Sequence, residues 1–260
     1  MIITDSFVFL NFPKTGSTFV REALTELYGK KEKNSWWPWS RNRRHFEMYQ
    51  APNVRAISEK RRGQPNPHGT YWQIPERAQH LPVYCVFRDP VGRATSAYHY
   101  ADWKKEEGLL GNIDTIKKQF PLFPELSLHD FMEYTNLYAP RDLFIGAIEY
   151  GAWASDFVHF FLRSPDRADR KVLEFADFED LQNAFGDVHF LDNSNLNQEL
   201  ADMLLIRGFN ENEVAFIRTR GKSNVSKTSK RTLASREEEM VTKRIEDDAK
   251  LINRLAGITV

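Results

Sequence analysis

The chain has 260 residues, and 36 Lys and Arg are balanced by 36 Asp and Glu, so its formal net charge at pH 7 is zero. That length buries a full core and is read as one domain over residues 1–260, while the neutral balance excludes a generic polyanion binder. A single cysteine, Cys85, excludes an internal disulfide framework, and no segment has the length of a membrane span or the pattern of a secretory leader. A soluble, cytoplasmic protein is expected.

The charge is unevenly spread. From Gly29 to Arg62 ten basic residues face three acids, and from Arg218 to Arg236 seven basic residues face none. Two such segments on a neutral chain imply local anion sites, although any one of these side chains alone reads equally as solvated loop charge.

In chain order, Phe7 to Phe12 is a near-continuous apolar run, the pattern of a strand covered on both faces of a parallel sheet. Thr18 to Tyr28 reads as a helix with Phe19, Val20, Ala23, Leu24 and Leu27 on one face and Gly29 as its stop. Residues 30–67 form an excursion with Trp36, Trp37 and Trp39 among basic residues. Pro82 to Arg88 is a second buried strand containing Cys85. Asp89 as cap and Pro90 at the first helical position then open a helix to about Glu107. Leu109 to Pro124 reads as an irregular or short helical insertion, and Ser127 caps a helix to about Thr135. Further helices are predicted at Ala152 to Leu162, Phe178 to Phe185 and Asn197 to Arg207, with a third strand at Lys171 to Phe175. Ser235-Arg-Glu-Glu238 forms a capping box that opens a last helix with Met240, Val241, Ile245, Ala249 and Ile252 inward. Strands alternating with helices give an α/β class with an open parallel sheet flanked by helices on both faces.

Chemistry concentrates at two strand-to-helix junctions. At Pro13-Lys14-Thr15-Gly16-Ser17-Thr18 the lysine precedes the glycine, unlike a Walker loop, which ends in Gly-Lys-Ser/Thr. Backbone N–H groups of Gly16, Ser17 and Thr18 at the helix start, with the helix dipole and Lys14, make a cradle for a small dense anion. At the second junction, Arg88 stands at a strand's carboxyl end and Ser96 lies two turns into the next helix. Together they suit a phosphate, with Arg88 supplying a bidentate fork. Taken singly, Arg88 reads as a partner for an acid and Ser96 as a packing residue.

The pair Pro13-Lys-Thr-Gly-Ser-Thr18 and Arg88-Asp-Pro-x-x-Arg-x-x-Ser96-x-Tyr98 resembles the sulfotransferases that use 3′-phosphoadenosine 5′-phosphosulfate (PAPS). The resemblance implies a P-loop-like sulfotransferase fold. Lys14, Thr15, Gly16, Ser17 and Thr18 would then hold the 5′-phosphosulfate, and Arg88 and Ser96 the 3′-phosphate. Val172 to Phe178 is similar to a downstream strand and helix of that family, and Asn224-Val-Ser226 to a segment of its carbohydrate-acting branch that closes over the nucleotide. On order along the chain, Arg220, Lys222, Ser226 and Lys227 would complete the nucleotide site.

The implied reaction moves a sulfuryl group from PAPS to an acceptor hydroxyl by in-line displacement, leaving adenosine 3′,5′-bisphosphate. Lys14 would stabilise the leaving phosphate oxygen. The chemistry needs no metal, and the scattered histidines lack ligand spacing. His68, whose placement is similar to a histidine ahead of the 3′-phosphate strand in heparan-sulfate 2-O-sulfotransferases, is the candidate base, with His45 and Glu47 as runners-up. Trp36, Trp37 and Trp39 suit stacking on an acceptor or anchoring on the core. Arg41, Arg43, Arg44, Arg61 and Arg62 suit an acceptor that is already anionic. A carbohydrate or small metabolite is the expected acceptor, with neither nucleic acid nor membrane as partner. The alternatives are a P-loop-type nucleotide kinase or hydrolase and a non-catalytic adenine-nucleotide-binding protein. A kinase would require a Walker lysine and a magnesium-holding acid after a strand.

Overall fold

The computed structural model describes residues 1–34, 44–54, 63–106, 113–139, 141–168, 170–221 and 234–258. The expectations placed on Trp36, Trp37, Trp39, Arg41, Arg43, Arg61, Arg62, Lys222, Ser226 and Lys227 lie outside the described residues. In chain order come β1 (Ile2–Thr4), β2 (Val8–Leu10), α1 (Ser17–Asn34), β3 (Phe46–Met48), β4 (Ala51–Pro52), β5 (Pro65–Asn66) and β6 (Val83–Phe87). Next are α2 (Pro90–Tyr100), α3 (Asp102–Glu106), α4 (Ile113–Gln119), α5 (Leu128–Leu137), β7 (Asp142–Ile145), β8 (Ile148–Tyr150) and α6 (Ala152–Phe161). The chain continues through α7 (Pro165–Ala168), β9 (Val172–Phe175), α8 (Phe178–Ala184), β10 (Val188–Asp192) and α9 (Leu196–Ile206). It closes with α10 (Glu211–Thr219), α11 (Ser235–Arg244) and α12 (Glu246–Leu255).

These elements sort into two compact units. The first comprises Met1–Ala51, Asn66–Arg88 and Asp187–Lys230. Its five-stranded sheet has the order β10-β6-β2-β1-β3. Strands β10, β6 and β2 are parallel, whereas β1 runs antiparallel to both β2 and β3. The protein is therefore α/β with a mixed sheet flanked by helices, which corrects the expectation of a parallel sheet throughout. The reason is local. Only Asp5, Ser6 and Phe7 separate β1 from β2, and a parallel crossover needs a dozen residues or more. Thr4 closes that turn, its Oγ1 donating to the Phe7 carbonyl at 2.8 Å and accepting the Phe7 N–H at 2.9 Å.

The core of this unit packs Phe7 and Phe9 against Val20 and Leu24 of α1, Leu200 and Leu204 of α9, and Val214 and Ile217 of α10, all fully buried. Each such side chain contributes about 1.5–3 kcal/mol by leaving water. Gly29 does not stop α1, which continues to Asn34. A helix-ending glycine works by adopting the left-handed conformation, and Gly29 sits exposed inside regular helix with nothing near it. The excursion after α1 also returns a strand, β3, to the sheet edge.

The second unit comprises Pro52–Pro65, Asp89–Gly186 and Arg231–Val260. The strand expected at Lys171 to Phe175 forms as β9, but in a separate three-stranded sheet of order β8-β7-β9. Asp89 caps α2 as expected, accepting the Gly92 N–H at 2.6 Å. That helix ends at Tyr100, where Ala101 turns left-handed (φ 53°), instead of running to Glu107. Helix α6 is buried along nearly its whole length, and its first turn is closed by a distant carboxylate. Asp248 accepts the N–H groups of Gly151, Trp153 and Ala154 at 2.7, 3.1 and 3.2 Å. The last helical stretch divides at Ile245 into α11 and α12. Its leading cap is Ala234, whose N–H is taken by Glu237, one position before the expected Ser235. Arg93 lies buried in an ion pair with Asp156, 5.2 Å from the Trp153 ring. Among the described residues no helix is long and apolar enough to cross a membrane.

Candidate functional site

Register explains why one edge of the first unit gathers the candidate residues. Leu10 of β2 lies level with Cys85 of β6, and Phe87 of β6 lies level with Asp192 of β10. Three residues beyond Leu10 and Cys85, and one beyond Asp192, that register brings Pro13 at the start of the Lys14 loop, Arg88 and Asn193 to the carboxyl ends of three neighbouring parallel strands. Ligands of open α/β sheets bind at such an edge.

The loop is bent into an unusual form. Lys14 has φ 67° and Gly16 has φ 107°. For lysine the left-handed region costs about 1–2 kcal/mol, so surrounding contacts must hold it. Arg88 donates from Nη1 to the Lys14 carbonyl at 3.2 Å, and Asn193 donates from Nδ2 to the Thr15 carbonyl at 2.7 Å. The Thr15 hydroxyl donates to the Phe12 carbonyl at 2.8 Å and is buried. Thr15 therefore offers an anion its backbone rather than its side chain. Helix α1 begins at Ser17, and the Phe19 N–H is already taken by the Gly16 carbonyl at 3.0 Å. The amides of Ser17 and Thr18 lie in the first turn, the open, electropositive end of α1. Loops whose residues alternate hand in this way form concave anion nests.

His68 is tied to the same strand end. Its Nδ1 lies 2.6 Å from the Asn11 carbonyl, three residues before Lys14, and its N–H donates to Asn66 Oδ1 at 2.9 Å. A carbonyl only accepts, so Nδ1 carries the hydrogen and the neutral ring keeps its lone pair on Nε2. The Asn11 side chain is buried and donates from Nδ2 to the Pro67 carbonyl at 3.1 Å, which docks the His68 segment against β2.

The structure thus brings Lys14, Thr15, Gly16, Ser17, Thr18, Arg88 and His68 to one edge of the first unit. No protein-family model, curated protein or solved structure matches the chain.

Other expected residues are engaged elsewhere. Arg220 pairs with Glu26 and, at 3.6 Å, with Glu22, both on α1. Asn197 binds the carbonyls of Ile217 and Arg220 at 2.7 and 2.8 Å, which fixes the end of α10. His45 lies 3.6 Å from Glu47, which also accepts from Arg77 at 2.6 Å. Arg44 donates to the Gly208 carbonyl at 2.5 Å and lies 3.7 Å from the Phe209 ring. Ser96 is half-buried on the second turn of α2, in the second unit. Among the described residues no group of three or more His, Cys, Asp or Glu could hold a metal ion. Sequence reasoning missed Asn11 and Asn193. A signal for the second existed in the polar run Asp192-Asn-Ser-Asn195 between an apolar segment and a helix.

Proposed function

We propose that this chain is a PAPS-dependent sulfotransferase that moves a sulfuryl group to an acceptor hydroxyl of a carbohydrate or small metabolite, on a P-loop-like sulfotransferase fold. The observation that carries the reading is a lysine held left-handed in a nest at a helix start, beside a strand-end arginine and a histidine whose tautomer suits a base. The sequence likeness at both junctions supplies the nucleotide.

In this reading the 5′-phosphosulfate lies in the nest and the acceptor O–H faces His68. Nε2 takes the hydroxyl proton as the oxygen attacks sulfur, and the bond from sulfur to the 5′-phosphate oxygen breaks on the opposite side. The products are a sulfate ester and adenosine 3′,5′-bisphosphate. Charge develops on the departing oxygen, where the Lys14 ammonium and the nest amides stabilise it without reorganising. Arg88 would bind the 3′-phosphate.

The kinase alternative draws on Asp192, an acid at a strand end. Its oxygens accept from the Ser194 amide at 2.8 Å and the Ser194 hydroxyl at 2.5 Å, which is a cap's employment for that carboxylate. The test is incubation with PAPS labelled in its sulfate and a panel of carbohydrate and phenolic acceptors. Label should pass to an acceptor in wild type and not in Lys14→Ala. Release of bisphosphate with no labelled ester from any acceptor would contradict transfer to a hydroxyl.

A further inference from the structure

The loop is a cradle closed from behind by two side chains, Arg88 and Asn193, of which only Arg88 belongs to a motif legible in the sequence. A trans peptide is planar, so its C=O and N–H point in opposite directions. Holding the Lys14 carbonyl therefore aims the Thr15 N–H away from Arg88, and holding the Thr15 carbonyl aims the Gly16 N–H away from Asn193. We infer that Asn193 is a positioning residue: it fixes the Thr15–Gly16 peptide so that the nest is formed before an anion arrives.

Three further features support this assignment. Asn193 follows β10 directly and is followed by Ser194, which Asp192 grips through both its amide and its hydroxyl, so the asparagine stands on a braced turn. The approach is close: a Cβ added to Gly16 would come within 2.5 Å of Asn193 Nδ2 and 3.1 Å of Leu196 Cδ2. A side chain at position 16 would thus displace the Asn193 amide from the Thr15 carbonyl, besides straining a φ of 107°. Finally, the Lys14 conformation is one that lysine rarely adopts, and such a backbone persists only where neighbours hold it.

The inference rests on the proposed function for the identity of the nucleotide but not for the presence of an anion, and two probes separate these. Titration calorimetry with adenosine 3′,5′-bisphosphate and with inorganic pyrophosphate would be run on wild type, Asn193→Ala, Asn193→Asp, Lys14→Ala and the Lys14→Ala/Asn193→Ala pair. Asn193→Ala should bind both anions about tenfold more weakly, the scale of one lost hydrogen bond with its partner left unpaired. Its loss should not add to that of Lys14→Ala, because both act through one loop. Asn193→Asp keeps the shape and removes the donor, so affinity should fall further. Relative to wild type at the same pH it should recover as acid protonates the new carboxyl and restores an O–H donor to Thr15. A residue needed only for folding would show neither coupling nor acid recovery. Pyrophosphate binding that depends on Asn193, with no binding of the bisphosphate, would keep this role and remove the sulfotransferase reading. Wild-type binding of either anion with both Asn193 variants unchanged would overturn the inference, and so would failure of wild type to bind either anion.

Discussion

Lys14 is the residue on which the proposed chemistry turns, and its backbone is as informative as its charge. Lys14→Ala should reduce transfer by at least about 10²–10³-fold, the range for removing a preorganised transition-state donor, while circular dichroism and melting temperature stay near wild type. His68→Ala should lower kcat by about 10²–10⁴-fold and leave bisphosphate affinity unchanged. A calorimetric titration beside the rate assay separates the two effects. Gly16→Ala should destabilise the protein by about 1–3 kcal/mol, from the left-handed φ and the approach of Asn193, readable in a denaturant melt. The lysine and glycine were legible in the sequence because their spacing is chemical. The hand of Lys14 was not, since lysine carries no local signal for positive φ. Asn193 was hidden because a polar residue after a strand announces itself only once the strand is known, and Asn11 because it stood inside the apolar run Phe7 to Phe12 and read as part of that strand.

At the scale of elements, long apolar or capped segments were readable and short strands were not. Strand β6, with five buried residues, and the capped helices α5 and α8 fall close to their expected bounds, and α2 starts at its expected cap. Strand β10 (Val-His-Phe-Leu-Asp) passed unseen because its burial does not alternate cleanly and it carries a histidine and an aspartate. That omission is also why Asn193 was missed. The long-range cap on α6 was equally invisible, because Asp248 lies 97 residues from Gly151. Asp248→Ala would strand the buried N–H groups of Trp153 and Ala154 and the part-buried one of Gly151, and should cost about 2–4 kcal/mol in chemical denaturation. Burial pushes the Asp248 carboxyl above its ordinary value, outweighing the three bonds that lower it. The folded chain then holds this proton more tightly than the unfolded chain does. Its contribution is full below the unfolded pKa and is lost as pH rises through the folded one. The stability of wild type relative to Asp248→Asn should therefore decline across that window, as followed by melts at a series of pH values.

For the whole molecule, the chain was legible as α/β from its alternation of elements, but not as two units. Each unit is assembled from three separated segments, so no linker marks a boundary. Mixed strand direction was likewise out of reach, since Phe7 to Phe12 is as apolar beside an antiparallel neighbour as beside a parallel one. If the first unit's nest holds a 3′-phosphorylated adenine nucleotide, as proposed, thermal unfolding in the presence of nucleotides will report it. Adenosine 3′,5′-bisphosphate at about a hundred times its Kd stabilises a single site by about 2.7 kcal/mol, a rise in Tm of about 5 °C or more for a chain of this size. ATP with magnesium should shift it much less. A larger shift with ATP and magnesium than with the bisphosphate would contradict the account.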